Sequence, residues 1–265
     1  MNSITEKPKK PIVLSASRRT DLVACYPEIL AQRLQEFSPE RVHSVVIWTK
    51  NPENLIKDGL LKDTLKNYQQ IYIHLTITGM GGSEFEPLIP PWKKVGQMIE
   101  PLIKLVGNPQ RICWRFDPIL MVKGVGKSYS NFDFFPEIMA SITPLGIRTC
   151  RLSWVSPYKK VLSRLASRGW YLVPQTLAEQ KEQARKIANW ARSNGMEIYF
   201  CAMEGFPGSR CIDGYLLKEI HPQKLDCSLK KAQGQRPLCG CTESLDIGWY
   251  SLKCKHGCLY CYACP

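Results

Sequence analysis

Soft, metal-seeking side chains crowd the C-terminal end of the sequence. Cys254, Cys258 and Cys261 stand at C-x3-C-x2-C spacing, Tyr260 precedes the third, and Cys264 follows. Three thiolates packed so tightly in one loop suit the irons of one iron–sulfur cluster better than three separate disulfide partners. Zinc ribbons usually pair their cysteines at C-x2-C twice, and only one triplet is present here. A cube of four irons needs four ligands. Three from the protein leave one iron open to a small molecule, the open-position logic that separates catalytic from structural zinc sites. Gly257 supports a tight turn, and Tyr260 can cover the cluster.

A second set is Cys201, Cys211, Cys239 and Cys241, the last two as a C-x-C pair. Four soft ligands suit an auxiliary iron–sulfur cluster or a zinc ion. Cys227 and Cys264 are replacements for either set. Nine of the twelve cysteines fall after residue 200, and the polar N-terminus lacks the apolar segment of a secretory signal. The expectation is a cytoplasmic protein, where disulfides are disfavoured and clustered thiols bind metal. Cys25, Cys113 and Cys150 are scattered and read as buried free thiols.

The sharpest charged group is Arg18, Arg19 and Asp21. Arginine forks grip carboxylate or phosphate bidentately. Lys50 and Arg115 complete an anion pocket, and Asp117 precedes Pro118, which fixes the local backbone. For Arg115, Asp117 and Arg151 the alternative is an internal ion pair. Gly79, Gly81 and Gly82 offer a backbone that can approach an adenosine or a methionine amine, or form a plain turn. The four histidines show no metal-ligand spacing; His74 reads as core, and His256 as a group tuning the cluster. The net charge of +13 favours a small anionic substrate or nucleic acid as partner. No apolar run approaches the length of a membrane span, so no membrane partner is expected.

The elements that must position these groups alternate. Short apolar or β-branched runs at 12–15, 45–48, 71–78, 111–116, 149–154 and 197–201 read as strands. Between them lie helical patterns opening at Pro27, Pro52, Pro91, Pro136 and Pro157, with Pro101 expected to kink or end the third. The best helix is 177–194, opened by a Thr176–Glu179 capping box. Six strands alternating with helices argue for an α/β fold. Polar or reactive residues follow every strand, which favours a partial or complete βα (TIM-like) barrel with its chemistry at the strand C-termini. The predicted division is a barrel over 1–205 and a cysteine-rich, metal-binding extension over 206–265. That extension, poor in apolar mass, is expected to dock at the barrel mouth and be held by metal.

The C-x3-C-x-aromatic-C arrangement resembles that of radical S-adenosylmethionine (SAM) enzymes. The resemblance implies a 4Fe-4S cluster on Cys254, Cys258 and Cys261, SAM chelating the fourth iron, and a partial barrel of six βα units. It also implies an electron donor such as ferredoxin or flavodoxin. In that superfamily the triplet normally lies near the N-terminus, after the first strand; here it stands at the other end, as in a circular permutation. Nearly end to end, the chain also resembles an uncharacterised bacterial and archaeal domain family with a radical-SAM-like cysteine cluster at its C-terminus. The matching stretches are Ser15–Asp21, Trp48–Pro52, Trp114–Pro118, Cys239–Cys241, Asp246–Tyr250 and His256–Tyr262. An alternative without SAM chemistry remains open: a zinc- or iron–sulfur-stabilised protein that binds nucleic acid or transfers electrons.

Overall fold

The computed structural model describes residues 10–249 and 251–263, so Tyr250 and Cys264 lie outside the described residues. Ten strands form: β1 Ile12–Ala16, β2 Val42–Thr49, β3 Ile71–Thr76, β4 Ile112–Ile119, β5 Met121–Gly124, β6 Lys127–Ser130, β7 Thr149–Trp154, β8 Tyr171–Leu172, β9 Glu197–Phe200 and β10 Leu245–Asp246. Seven of them make one parallel sheet in the order β10-β1-β2-β3-β4-β7-β9. The six expected strands are all present, each within a few residues of the sequence reading.

Parallel strands need crossover connections, and right-handed crossovers between sequential neighbours put the crossover helices on one face. Side-chain alternation shows this directly. Leu14, Val45, Ile47, Ile73, Trp114 and Leu152 pack with the helices in the main core. Val13, Val46, Trp48, Tyr72 and Cys113 face the other way. Coverage on both faces explains why all eight residues of β2 are buried. This is the strand order of a barrel wall, but among the described residues no pairing joins β9 to β10. The sheet is therefore open, and the complete-barrel reading does not hold.

The C-terminal segment carries more apolar contact than its sequence suggests. Its helix Gly214–Glu219 lies against the face opposite the crossover helices, where Ile212, Leu217, Ile220, Cys227 and Cys241 pack on the inner side chains of β1 to β4. Buried hydrophobic side chains thus help to anchor this stretch. It crosses the N-terminal ends of the strands. Gln70 Nε2 donates to the Leu217 carbonyl at 2.9 Å, Arg111 Nη2 to Ile220 at 2.9 Å, and His43 Nε2 to Leu225 at 2.8 Å. The chain then returns as β10 beside β1, with Leu14 opposite Leu245.

The helices form close to where their patterns place them. The capping box at Thr176 is complete, and the helix runs Leu177–Ser193. The pattern opening at Pro91 splits into Trp92–Gly96 and Ile99–Val106. Pro101 does not break it. It sits in the first turn of the second helix, where N–H groups lack an intrahelical acceptor anyway. The remaining strands, β6-β5-β8, form a small antiparallel sheet. With helix Lys159–Ala166 they enclose a satellite core of Val122, Val161, Leu165 and Trp170, which also takes in Cys258, Leu259 and Tyr260.

Candidate metal centre

At the C-terminal ends of the strands the side opposite the crossover helices opens into a cavity of about 850 Å³. Its walls carry Arg18, Arg19, Asp21, Lys50, Arg115 and Asp117 together with all seven candidate metal-binding cysteines. The turn after β1 shapes the first wall. Ser17 adopts φ +52°, and its hydroxyl accepts from the N–H groups of Arg19 at 3.3 Å and Thr20 at 3.2 Å. A side chain at Gly248 would strike Ser17 Cβ at 2.4 Å, so only glycine lets the stretch after β10 pass this turn.

Asp21 is the joint of the site. One oxygen accepts from the Ala24 N–H at 3.0 Å, capping the short helix Leu22–Cys25. The other accepts from the Lys50 N–H at 2.8 Å and the Thr49 hydroxyl at 3.0 Å, and meets His256 Nε2 at 2.8 Å. One carboxylate thereby links the β1 turn, the end of β2 and the cysteine tail. Burial lowers the His256 pKa, but the Asp21 carboxylate outweighs it and the net shift is upward.

Every turn of the tail is pinned. Thr20 donates its hydroxyl to the Leu252 carbonyl at 2.7 Å, and Tyr26 to Lys253 at 2.9 Å. The Lys255 N–H donates to Cys25 Sγ at 3.3 Å, and the Leu259 N–H to the Phe85 carbonyl at 3.1 Å. Arg164 Nη1 reaches three carbonyls, those of Cys258, Leu259 and Cys261, at 3.3, 3.2 and 3.0 Å. The loop is thus held in shape by its own packing and hydrogen bonds.

Cys25, Cys254 and His256 offer ligand atoms all within 4.8 Å of one another, and together they could bind a metal ion. With Nε2 on Asp21, Nδ1 is the histidine nitrogen left for a metal, and a carboxylate behind a ligating imidazole is the usual orienting arrangement. The hydrogen bond from Cys25 leads the causes that hold Cys254 low, at about 6, which favours its thiolate. Burial pushes Cys258 up to about 12.

The family assignment rests on the whole length of this arrangement. Residues 13–263 match the family described as a domain of unknown function (DUF1848). The chain belongs to that family. No curated protein matches it. Two solved structures are similar in part. Streptococcus suis SuiB is 10% identical at a TM-score of 0.38, over 73% of this chain and 49% of that one. The carboxyl transferase domain from Rhizobium etli pyruvate carboxylase, solved with 3-hydroxypyruvate, is 11% identical at a TM-score of 0.27, over 82% of this chain and 44% of that one. The chain spans about half the length of each or less.

In this DUF1848 chain the remaining candidates divide. Arg18 reaches the cavity with its guanidinium 5.5 Å from the Trp48 ring centroid, and its buried Nε and Nη2 have no partner among the described residues. Lys50 Nζ is paired with Glu86 at 2.8 Å and lies 5.6 Å from the Tyr260 ring centroid. Arg115 pairs with Asp117 on the same strand, and Asp117 also accepts from Ser153 on β7. Arg151 is buried, donating to Cys113 Sγ at 2.9 Å and to the Tyr72 hydroxyl at 3.3 Å.

The glycine loop does not reach the cavity. A Cβ at Gly79 would overlap the Phe134 ring at 2.3 Å, and one at Gly81 would overlap the Pro90 carbonyl oxygen at 2.1 Å. Gly82 approaches Pro91 instead. These glycines permit close packing of the chain on itself, which is the plain-turn alternative. Cys227 is also elsewhere, buried against the Gly214 carbonyl at 3.5 Å.

Sequence reasoning missed two residues. Cys25, read as an isolated buried thiol, belongs to the tail site. Glu86 is 1% exposed and accepts from Lys50 Nζ and Thr78 Oγ1, each at 2.8 Å, and from the Tyr260 hydroxyl. Its one signal is an acid set between Phe85 and the Pro-Leu-Ile that follows.

No helix among the described residues is long and apolar enough to cross a membrane.

Proposed function

We propose that this chain is an iron–sulfur enzyme of radical-SAM type, cleaving S-adenosylmethionine reductively and acting on a small anionic substrate. The carrying observation is that Cys254, Cys258 and Cys261 line one cavity with Arg18, whose buried Nε and Nη2 lack partners among the described residues. The donor set fits the group: three soft thiols on a pinned loop, with a backbone N–H donor already on the neighbouring Cys25. When bound, a cluster on these thiolates would supply the electron for sulfonium cleavage, drawn from a donor such as ferredoxin or flavodoxin.

The chain's own residues then have separate tasks. Arg18 and Arg19 hold an anionic group, the SAM carboxylate or the substrate. Asp21 fixes His256 and the entry of the tail. Glu86, itself paired with Lys50, accepts from the Tyr260 hydroxyl and so fixes the ring in the loop. Trp48, Trp154 and Tyr262 supply apolar wall that limits water. The test is anaerobic reconstitution with iron and sulfide, reduction, and addition of SAM. 5′-Deoxyadenosine is the expected product; its absence from fully reconstituted protein overturns the reading.

A second reading is favoured by the closeness of Cys25, Cys254 and His256: a single ion, zinc by its ligand types, that staples a nucleic-acid-binding or electron-transfer protein. It predicts colourless protein containing zinc without sulfide, and for nucleic acid a binding constant that falls steeply with salt.

A further inference from the structure

The other cysteine set shares the cavity and is built differently from the tail. Cys201 follows β9, Cys211 precedes the helix Gly214–Glu219, and Cys239 and Cys241 flank Gly240. Two short stretches carry three of these thiols side by side. Ser209 bridges Cys239 in parallel, the Gly240 N–H donates to the Ser209 carbonyl at 3.1 Å, and the Thr242 N–H to Ile212 at 2.9 Å. A Cβ at residue 240 would sit 3.1 Å from the Ser209 oxygen, so glycine allows this close approach. His74, from β3, locks Cys211 from below through its carbonyl at 2.7 Å.

The sulfurs are presented to one another and to donors. Cys201 Sγ and Cys211 Sγ are 3.7 Å apart. Cys241 Sγ accepts from the N–H groups of Cys211 at 3.2 Å and Ile212 at 3.4 Å. Arg236 Nη2 lies 3.7 Å from Cys201 Sγ, and Arg115 lines the same cavity. Backbone N–H donors and two cations around soft ligands are what a negatively charged thiolate-bound group needs when it is drawn out of water.

The spacing discriminates between metals. A tetrahedral zinc with Zn–S near 2.3 Å would hold all four sulfurs about 3.8 Å apart. Among the described residues, the one set of three or more candidate ligand atoms within 4.8 Å of one another is Cys25, Cys254 and His256. In the second set Cys201 and Cys211 are 3.7 Å apart and Cys239 and Cys241 are neighbours across Gly240, yet no three of the sulfurs meet within that span. Two sulfide-bridged irons take four thiolates in this way, one close pair to each iron. All four residues also line the cavity, where a structural zinc site would be closed off. We infer that Cys201, Cys211, Cys239 and Cys241 hold a second iron–sulfur cluster that faces the same ligand space as the tail cysteines.

The inference is independent of SAM cleavage and is tested without it. The full chain carrying C254A/C258A/C261A is purified anaerobically and assayed for iron, acid-labile sulfide and zinc, with electron paramagnetic resonance after reduction. Iron and acid-labile sulfide in equal amounts, about two of each per chain, are expected to remain, and adding C239A/C241A removes them. Zinc in place of iron and sulfide, or a folded triple variant without metal, overturns the proposal. Cys239→Ser, a one-atom change at a half-buried position, covers the case of a tail variant that does not fold. Made in the unmodified chain, it should alter one of two resonance signals; an unchanged spectrum overturns the proposal. Failure to form 5′-deoxyadenosine with both clusters present would count against the proposed function alone.

Discussion

The two ends of the sheet are finished by the same stretch of chain in opposite ways. At the N-terminal ends of the strands, Ile212, Leu217 and Ile220 fill the face opposite the crossover helices, and the carbonyls they bring are met by Gln70 and Arg111. At the C-terminal ends, that stretch supplies thiols and leaves a cavity of about 850 Å³ walled by arginine and lysine. One end is sealed by apolar packing and the other is left open. A segment that looks too polar for a core needs only a few apolar side chains at the sealed end to anchor all of it.

Four measurements would break or sharpen this contrast. The largest effect is expected from C254A/C258A/C261A, which should reduce 5′-deoxyadenosine formation to background while leaving the far-ultraviolet circular dichroism spectrum intact. Unfolding of the variant would show that metal, and not packing, holds the tail. Next, Leu217→Ala should cost about 2–5 kcal/mol in urea denaturation, with metal per folded chain unchanged. If metal content fell in proportion to stability, the two ends would not be separable.

The sealed end should also carry an acid sensitivity. His43 and His221 stack at 4.5 Å, and burial, with His43 and Arg111 nearby, pushes His221 down to about 4. A depressed histidine contributes stability that is complete above the unfolded value near 6.5 and is lost as pH falls through the folded one. Up to about 3 kcal/mol should disappear between pH 6.5 and 4, and His221→Gln should flatten that slope. Smallest, Arg164→Ala removes a donor shared by three tail carbonyls, worth about 1–3 kcal/mol locally. It should speed hydrogen exchange around Leu259 and metal loss to a chelator, with no change at the sealed end.

Much of this was legible in the sequence. The strands of the sheet announce themselves as β-branched runs, and the capping box at Thr176 fixes a helix start by local chemistry alone. What was not legible depends on distant partners. Leu245–Asp246 has no strand pattern of its own and becomes β10 only because β1 presents an open edge. The hairpin of β5 and β6 carries lysine, glycine and serine, which read as loop. Cys25 meets Cys254 only after the chain has passed through the whole sheet, and no spacing rule spans that separation. The same holds for Glu86, whose partners come from Lys50, Thr78 and Tyr260.

The Asp21–His256 contact, 235 positions apart in the chain, has a consequence for biogenesis. Residues 21 and 25 leave the ribosome more than two hundred residues ahead of their partners at 254 and 256. Closing so long a loop is entropically slow and is rewarded only when both sides exist. The pocket is therefore assembled late, whatever it holds. A ribosome-stalled chain that stops short of residue 254, however well its strands have paired, should leave this contact unmade.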